Sequence, residues 1–182
     1  DNRVAYLDLG GSGNETHAHL VADGRITIMF CAFENPALIL RIYGHGRPVL
    51  PQDADWESLA AQFEMLPGTR QIFDITVDSV QTSCGWGVPV MQFDRERETL
   101  KKAHRQSEPE AWLARAAGRT HSIDGLPTMN VPAAGRSLGD KRKRAVARFF
   151  LCLFVLCIRS DQTSAASLMR ALFLPDFRPE SL

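Results

Sequence analysis

Neither sign of charge is in excess: 21 lysines and arginines stand against 21 aspartates and glutamates. A formal net charge of zero gives the chain as a whole no field with which to gather nucleic acid, and no nucleic-acid partner is expected. A long apolar run is missing too. Phe149–Ile158 holds ten apolar residues, against the ~20 that a spanning helix needs. Cysteine is sparse, and Cys31, Cys84, Cys152 and Cys157 include no C-x-x-C pair. That excludes a thioredoxin-type redox motif and a zinc ribbon, and it suits a reducing, cytoplasmic setting. No basic-then-apolar leader precedes the first strand-like run, so no signal peptide is expected.

What is present is ordinary globular material, 45% hydrophobic and 23% charged in 182 residues, enough for a domain with a core and an appendage. Val4–Leu9 reads as a strand that runs into the glycine turn Gly10-Gly-Ser-Gly13. A short helix follows to Ala22, with Ser12 or Asn14 as its N-cap and Glu15 in the first turn. Arg25–Phe33 and Ala37–Tyr43 are dense in strand formers, with Asn35-Pro36 as the turn between them. Gly44-His-Gly46 is expected to bend or bulge the chain before Pro48-Val-Leu50.

Asp53–Phe63 has helical spacing at Trp56, Leu59, Ala60 and Phe63, and Pro67-Gly68 stops it. Arg70–Val80 reads as a half-buried antiparallel strand. Ile72, Asp74, Thr76 and Asp78 share one face, and Phe73, Ile75 and Val77 the other. Gln81–Pro89 is expected as a loop, with Cys84 buried or half-buried and Trp86 filling the end of the barrel. Arg95–Ala116 is charged and helical, broken near Glu108-Pro109. Hairpin-connected strands with small helices predict a mainly β, closed antiparallel barrel rather than a doubly wound sheet.

The glycine turn is the segment with chemistry in it. A strand, a glycine corner and a helix start leave backbone N–H groups free at the positive end of a helix, where an anion is favoured. Ser12, Asn14 and Thr16 add short polar groups able to bond phosphate oxygens. The plain alternative is a capped helix after a glycine-rich loop. His17 and His19 are two apart and point to nearly opposite sides of a helix, so no metal site is expected.

Val4–Leu20 followed by Asp23–Phe30, then Arg41-Ile-Tyr-Gly44, Val80–Pro89 and Ser122-Ile-Asp-Gly-Leu-Pro127, resembles the pyridoxamine 5′-phosphate oxidase-like flavoproteins. The likeness covers roughly residues 3–128 and keeps the family's order. It implies an FMN-binding split barrel over residues 1–129, incomplete at the N-terminus, and a homodimer with the flavin at the subunit interface. Residues 130–182 form an irregular or helical tail of no recognised family. By position, the resemblance implies that Ser12, Asn14, Glu15 and Thr16 hold the phosphate side of FMN and that Arg41 contributes from the following strand.

Thr16 falls where better-known oxidases have a lysine, giving a hydrogen bond without a charge, and Ile39 falls where they have a flavin-contacting glutamine. The closing Arg-Leu-x-Pro pattern that helps bind pyridoxal phosphate is not found. The resemblance thus implies an FMN-dependent oxidoreductase acting on an unknown small-molecule substrate. The alternatives are a non-catalytic flavin- or haem-binding split-barrel protein and an inactive fragment. In the tail, nine basic residues against four acidic ones between Arg136 and Leu182 accompany the apolar run. An interfacial helix, a helix packed on the barrel and a tail with no selected function are the readings, and no membrane association is expected.

Overall fold

The computed structural model describes residues 2–108, 111 and 119–128, together with the backbone of 151–153. Its centre is a mainly antiparallel sheet with three small helices. In chain order these are β1 (Arg3–Leu9), α1 (Glu15–Ala22), β2 (Arg25–Cys31), β3 (Leu38–Val49), α2 (Trp56–Ala60), β4 (Thr69–Cys84), α3 (Thr99–Gln106) and β5 (Leu151–Leu153). Across the sheet the order is β1-β4-β3-β2-β5. The expected mainly β architecture is present, but the sheet is open. β1 pairs with β4, and no pairing joins β1 to the far side of the sheet among the described residues.

β2 and β3 form an antiparallel pair from Arg25↔His45 to Cys31↔Ile39, and the connection between them contains the turn at Asn35-Pro36. β3 and β4 are the long central pair. β3 runs unbroken through Gly44-His-Gly46 to Val49, and the irregularity falls on the facing strand: the register jumps from Tyr43↔Ser79 to Gly44↔Val77, so the extra residue is Asp78 of β4. Its carboxylate lies 2.7 Å from Nδ1 of His45.

Alternation along β4 puts apolar side chains on both faces. Phe73, Ile75 and Val77 join Val4, Ile26, Ile28, Phe30, Leu40, Ile42 and Leu20 of α1 in the larger core. Ile72 packs with Ala5, Val49 and Leu59 in a smaller core closed by Trp56 of α2. Asp74 shares that second face and is buried, because Arg3 grips both its oxygens at 3.1 and 2.7 Å and Arg47 adds a contact at 3.1 Å. A buried carboxylate persists only with such partners.

Several local expectations change. α2 is five residues, Trp56–Ala60, where helical spacing suggested Asp53–Phe63, because its ends pass into turns. β4 runs on to Cys84, four residues beyond the expected Val80, because β3 pairs with it all the way to Leu38↔Cys84. Cys84 is consequently exposed at the sheet's end rather than buried. Trp86, between Gly85 and Gly87, is 86% exposed and fills no barrel end, since the turn carries it past the last strand. Most of the tail beyond residue 128 lies outside the described residues, and with it the boundary at 129. Leu151–Leu153, in a tail expected to be irregular or helical, run parallel to β2, paired Thr27↔Leu151 through Met29↔Leu153. The outer edge of β2 offers the unpaired N–H and C=O groups that draw an extended segment. Among the described residues no helix is long and apolar enough to cross a membrane.

α1 passes into β2 through Asp23-Gly24, and Gly24 adopts φ +85, which glycine accepts at little cost. Arg25 donates to both Asp23 oxygens here. Those hydrogen bonds hold the Asp23 carboxyl below its usual range. A depressed carboxyl stabilises the fold fully above its unfolded pKa and loses that contribution as pH falls through the folded value. The stability difference between wild type and Asp23→Asn is therefore expected to be constant above about pH 4 and to shrink below it. Urea midpoints measured from pH 7 to pH 2 check this, and the effect is small because the pair is partly exposed.

Candidate functional site

The glycine corner after β1 is held in place from three directions. The amide of Gly10 donates to the carbonyl of Gly68 at 2.9 Å. The carbonyl of Gly10 accepts from Nε2 of His104 at 2.8 Å, which fixes the Nε2–H form of that buried ring. Gly68, at φ +83, leaves no room for a side chain because the His104 ring lies directly against it. α3 thus docks through one histidine onto the corner, 94 residues earlier in the chain.

Behind the corner lies a buried polar network centred on Gln71, which has no exposed surface. Its Oε1 accepts from Nδ1 of His17 at 2.7 Å. Its Nε2 donates to Asp8 at 2.6 Å and to Oδ1 of Asn14 at 2.9 Å, and Arg70 holds Asp8 from the other side. The geometry orients Asn14 without ambiguity: its oxygen faces the Gln71 amide, so its nitrogen faces away. That nitrogen, Nδ2, is buried and has no hydrogen-bond acceptor among the described residues. A buried donor without an acceptor costs about 1–3 kcal/mol, and such an atom marks a place where a partner belongs.

Residues 119–128 close the corner from outside as a small hairpin. The amide of Thr128 donates to Thr120 O, His121 bridges Pro127, and the turn passes through Gly125. Arg119 donates to the carbonyls of Gly11 and Ser12, and the amide of Ile123 donates to Oε2 of Glu15 at 3.1 Å. Between hairpin and corner is a cleft of about 330 Å³ lined by Ser12, Gly13, Asn14, Glu15, Arg119, Thr120, His121 and Thr128. The cleft opens at the N-terminus of α1, whose first amides have no intrahelical acceptors. Arg119 brings a full positive charge to its wall.

Of the residues singled out from the sequence, Ser12, Asn14 and Glu15 line this cleft. Thr16 follows on the first turn of α1, half-buried, and is not among the lining residues. Arg41 sits in mid-β3, where its guanidinium donates to Ser83 Oγ at 2.9 Å, and it does not line the cleft either. Asn14 is the N-cap residue, but its side chain makes no cap hydrogen bond because Gln71 holds it. Sequence reasoning missed Arg119 and the Gln71 network. Arg119 lies just outside the Ser122–Pro127 segment and matches no motif. The Gln71 contacts join residues 54 to 63 positions apart in the chain.

Over 100 residues the chain is 35% identical to the pyridoxamine 5′-phosphate oxidase family protein ustO of Aspergillus flavus. The match covers 54% of this chain and 40% of that protein, so the chain spans well under half the length of the curated relative. No family model matches the chain, and no solved structure matches it. The relationship to ustO, with a mostly antiparallel sheet and few helices, bears out the family resemblance carried by the sequence.

Proposed function

We propose that this chain, a relative of the pyridoxamine 5′-phosphate oxidase family, binds FMN with its phosphate in the cleft beside the glycine corner and takes part in a flavin-dependent oxidoreduction. One observation carries the reading: a buried Asn14 Nδ2 without an acceptor stands at the mouth of a helix N-terminus that also faces Arg119. A phosphate oxygen supplies the missing acceptor, the first amides of α1 donate to it, and the guanidinium balances its charge. The residues present therefore fit the phosphate end of the cofactor. Ser12 and Thr120 add hydroxyls on the same walls. Bound flavin supplies the electron chemistry, and the protein's share is holding and orienting it.

Assembly as a homodimer with the flavin between subunits belongs to the same reading. The exposed apolar side chains of Trp86, Val90 and Met91 suit burial against a second copy. A cytoplasmic enzyme acting on a small molecule is the corresponding role, the substrate being unassigned.

Arg119→Gln tests the site. The residue is exposed and glutamine still donates hydrogen bonds, so the fold is expected to persist and the melting temperature to stay within a few degrees. FMN affinity, read by quenching of flavin fluorescence on titration with protein, is expected to fall by about tenfold, one charge-assisted contact's worth. Equal affinity in the two proteins would remove Arg119 from the site. Oxidation of a nicotinamide donor by the flavin-loaded protein separates an enzyme from a protein that only holds flavin.

A further inference from the structure

The helix that begins at the corner carries a second constellation, on residues largely separate from the phosphate cleft. Glu15 and His19 are four apart on α1 and so share one face. The hairpin turn brings Asp124 against that face, and one ligand atom from each of the three lies within 4.8 Å of the others. His17, by contrast, is turned to Gln71 on the buried side. His19, where the sequence led to no expected metal site, has two carboxylate neighbours that its sequence position did not reveal.

We propose that Glu15, His19 and Asp124 bind a divalent first-row metal ion. The spacing of the imidazole and Asp124 supports this. His19 Nε2 and Asp124 Oδ2 are 3.4 Å apart. That is longer than the ~2.7–2.9 Å of a charge-assisted N–H···O bond and close to the edge between two ligands each ~2.1 Å from a tetrahedral ion. Each carboxylate is held by a donor that leaves its other oxygen available. Ile123 N donates to Glu15 Oε2, Ser122 Oγ donates to Asp124 Oδ1, and Leu126 N in turn donates to Ser122 Oγ. Such outer contacts are what orient metal ligands.

Charge makes the same point. Two carboxylates this close repel, and a dication between them offsets both. Asp124 is 43% exposed and His19 10%, which leaves an entry path from solvent and room for water to complete the coordination shell. One imidazole with two carboxylates suits Mn²⁺, Fe²⁺ or Zn²⁺ rather than Ca²⁺, which takes oxygen ligands.

The proposal does not depend on flavin binding and is tested without it. The full chain, stripped with chelator, is titrated with Zn²⁺ by calorimetry and with Mn²⁺ by loss of the free-ion paramagnetic resonance signal. One ion per chain is expected. Asp124→Asn, which keeps the Ser122 hydrogen bond, and His19→Gln are each expected to weaken it by about tenfold or more, with circular dichroism unchanged. His45→Gln, whose imidazole pairs with Asp78 and is not one of the three ligands, is expected to leave binding as in wild type. No uptake of either ion below about 1 mM, equal binding by Asp124→Asn, or loss of binding in His45→Gln would each overturn the assignment.

Discussion

Gly44→Ala is expected to destabilise the protein by about 3 kcal/mol or more, a large share of a single domain's stability. The reason lies at the bulge between β3 and β4. A Cβ built on Gly44 runs into the carbonyl oxygen of Thr76, with the Ile75 side chain 3.1 Å away. Thr76 O is backbone in the central strand and cannot swing aside as the end of a flexible side chain would. Relief would require β3 to separate from β4, the longest pairing in the sheet. Single domains have only about 5–15 kcal/mol of stability in total. Chemical denaturation, or the soluble yield where unfolding is complete, checks this. A midpoint equal to wild type would mean that the two strands are not in contact at this point.

Gln71→Leu is expected to cost roughly 2–5 kcal/mol and to abolish FMN binding with it. The side chain is fully buried and uses both its oxygen and its amide hydrogens, on His17, Asp8 and Asn14. Leucine fills much the same volume but leaves an imidazole N–H, a carboxylate contact and the Asn14 oxygen without their partner. Asn14 then loses the contact that sets its orientation, and its Nδ2 is no longer presented to the cleft. The melting temperature and the flavin titration are therefore expected to fall together. Full stability with weakened flavin binding would make Gln71 a positioning residue alone, and full stability with full binding would refute the network.

Much of this was legible in the sequence where local chemistry decides the outcome. The run of β formers in Arg25–Phe33 places a strand on its own, found as Arg25–Cys31, and the glycines at 10–13 mark the break between β1 and α1, where the chain bends at Ser12. Gly44-His-Gly46 marked where the register shifts because glycine in a strand has few other uses, although the extra residue lies on β4. The candidate phosphate residues Ser12, Asn14 and Glu15 were visible for the same reason: they sit within four positions of one another beside a glycine turn.

What was not legible depends on contacts between distant residues. His104 against Gly10, Gln71 between His17 and Asn14, and Asp124 beside His19 each join segments more than 50 positions apart, where no periodicity or spacing can speak. The length of β4 was underestimated because Gln81–Cys84 are polar and read as loop, yet their backbone has a partner in β3. Closure of the barrel depends on strands meeting across the sheet, and alternation along one strand does not encode it.

If the cleft recognises a phosphate, the most direct measurement compares two flavins that differ only in that group. Titrating the full chain with FMN and with riboflavin at the same pH and ionic strength should show FMN bound at least about tenfold more tightly. Equal affinity for the two, or binding of neither, would contradict phosphate recognition.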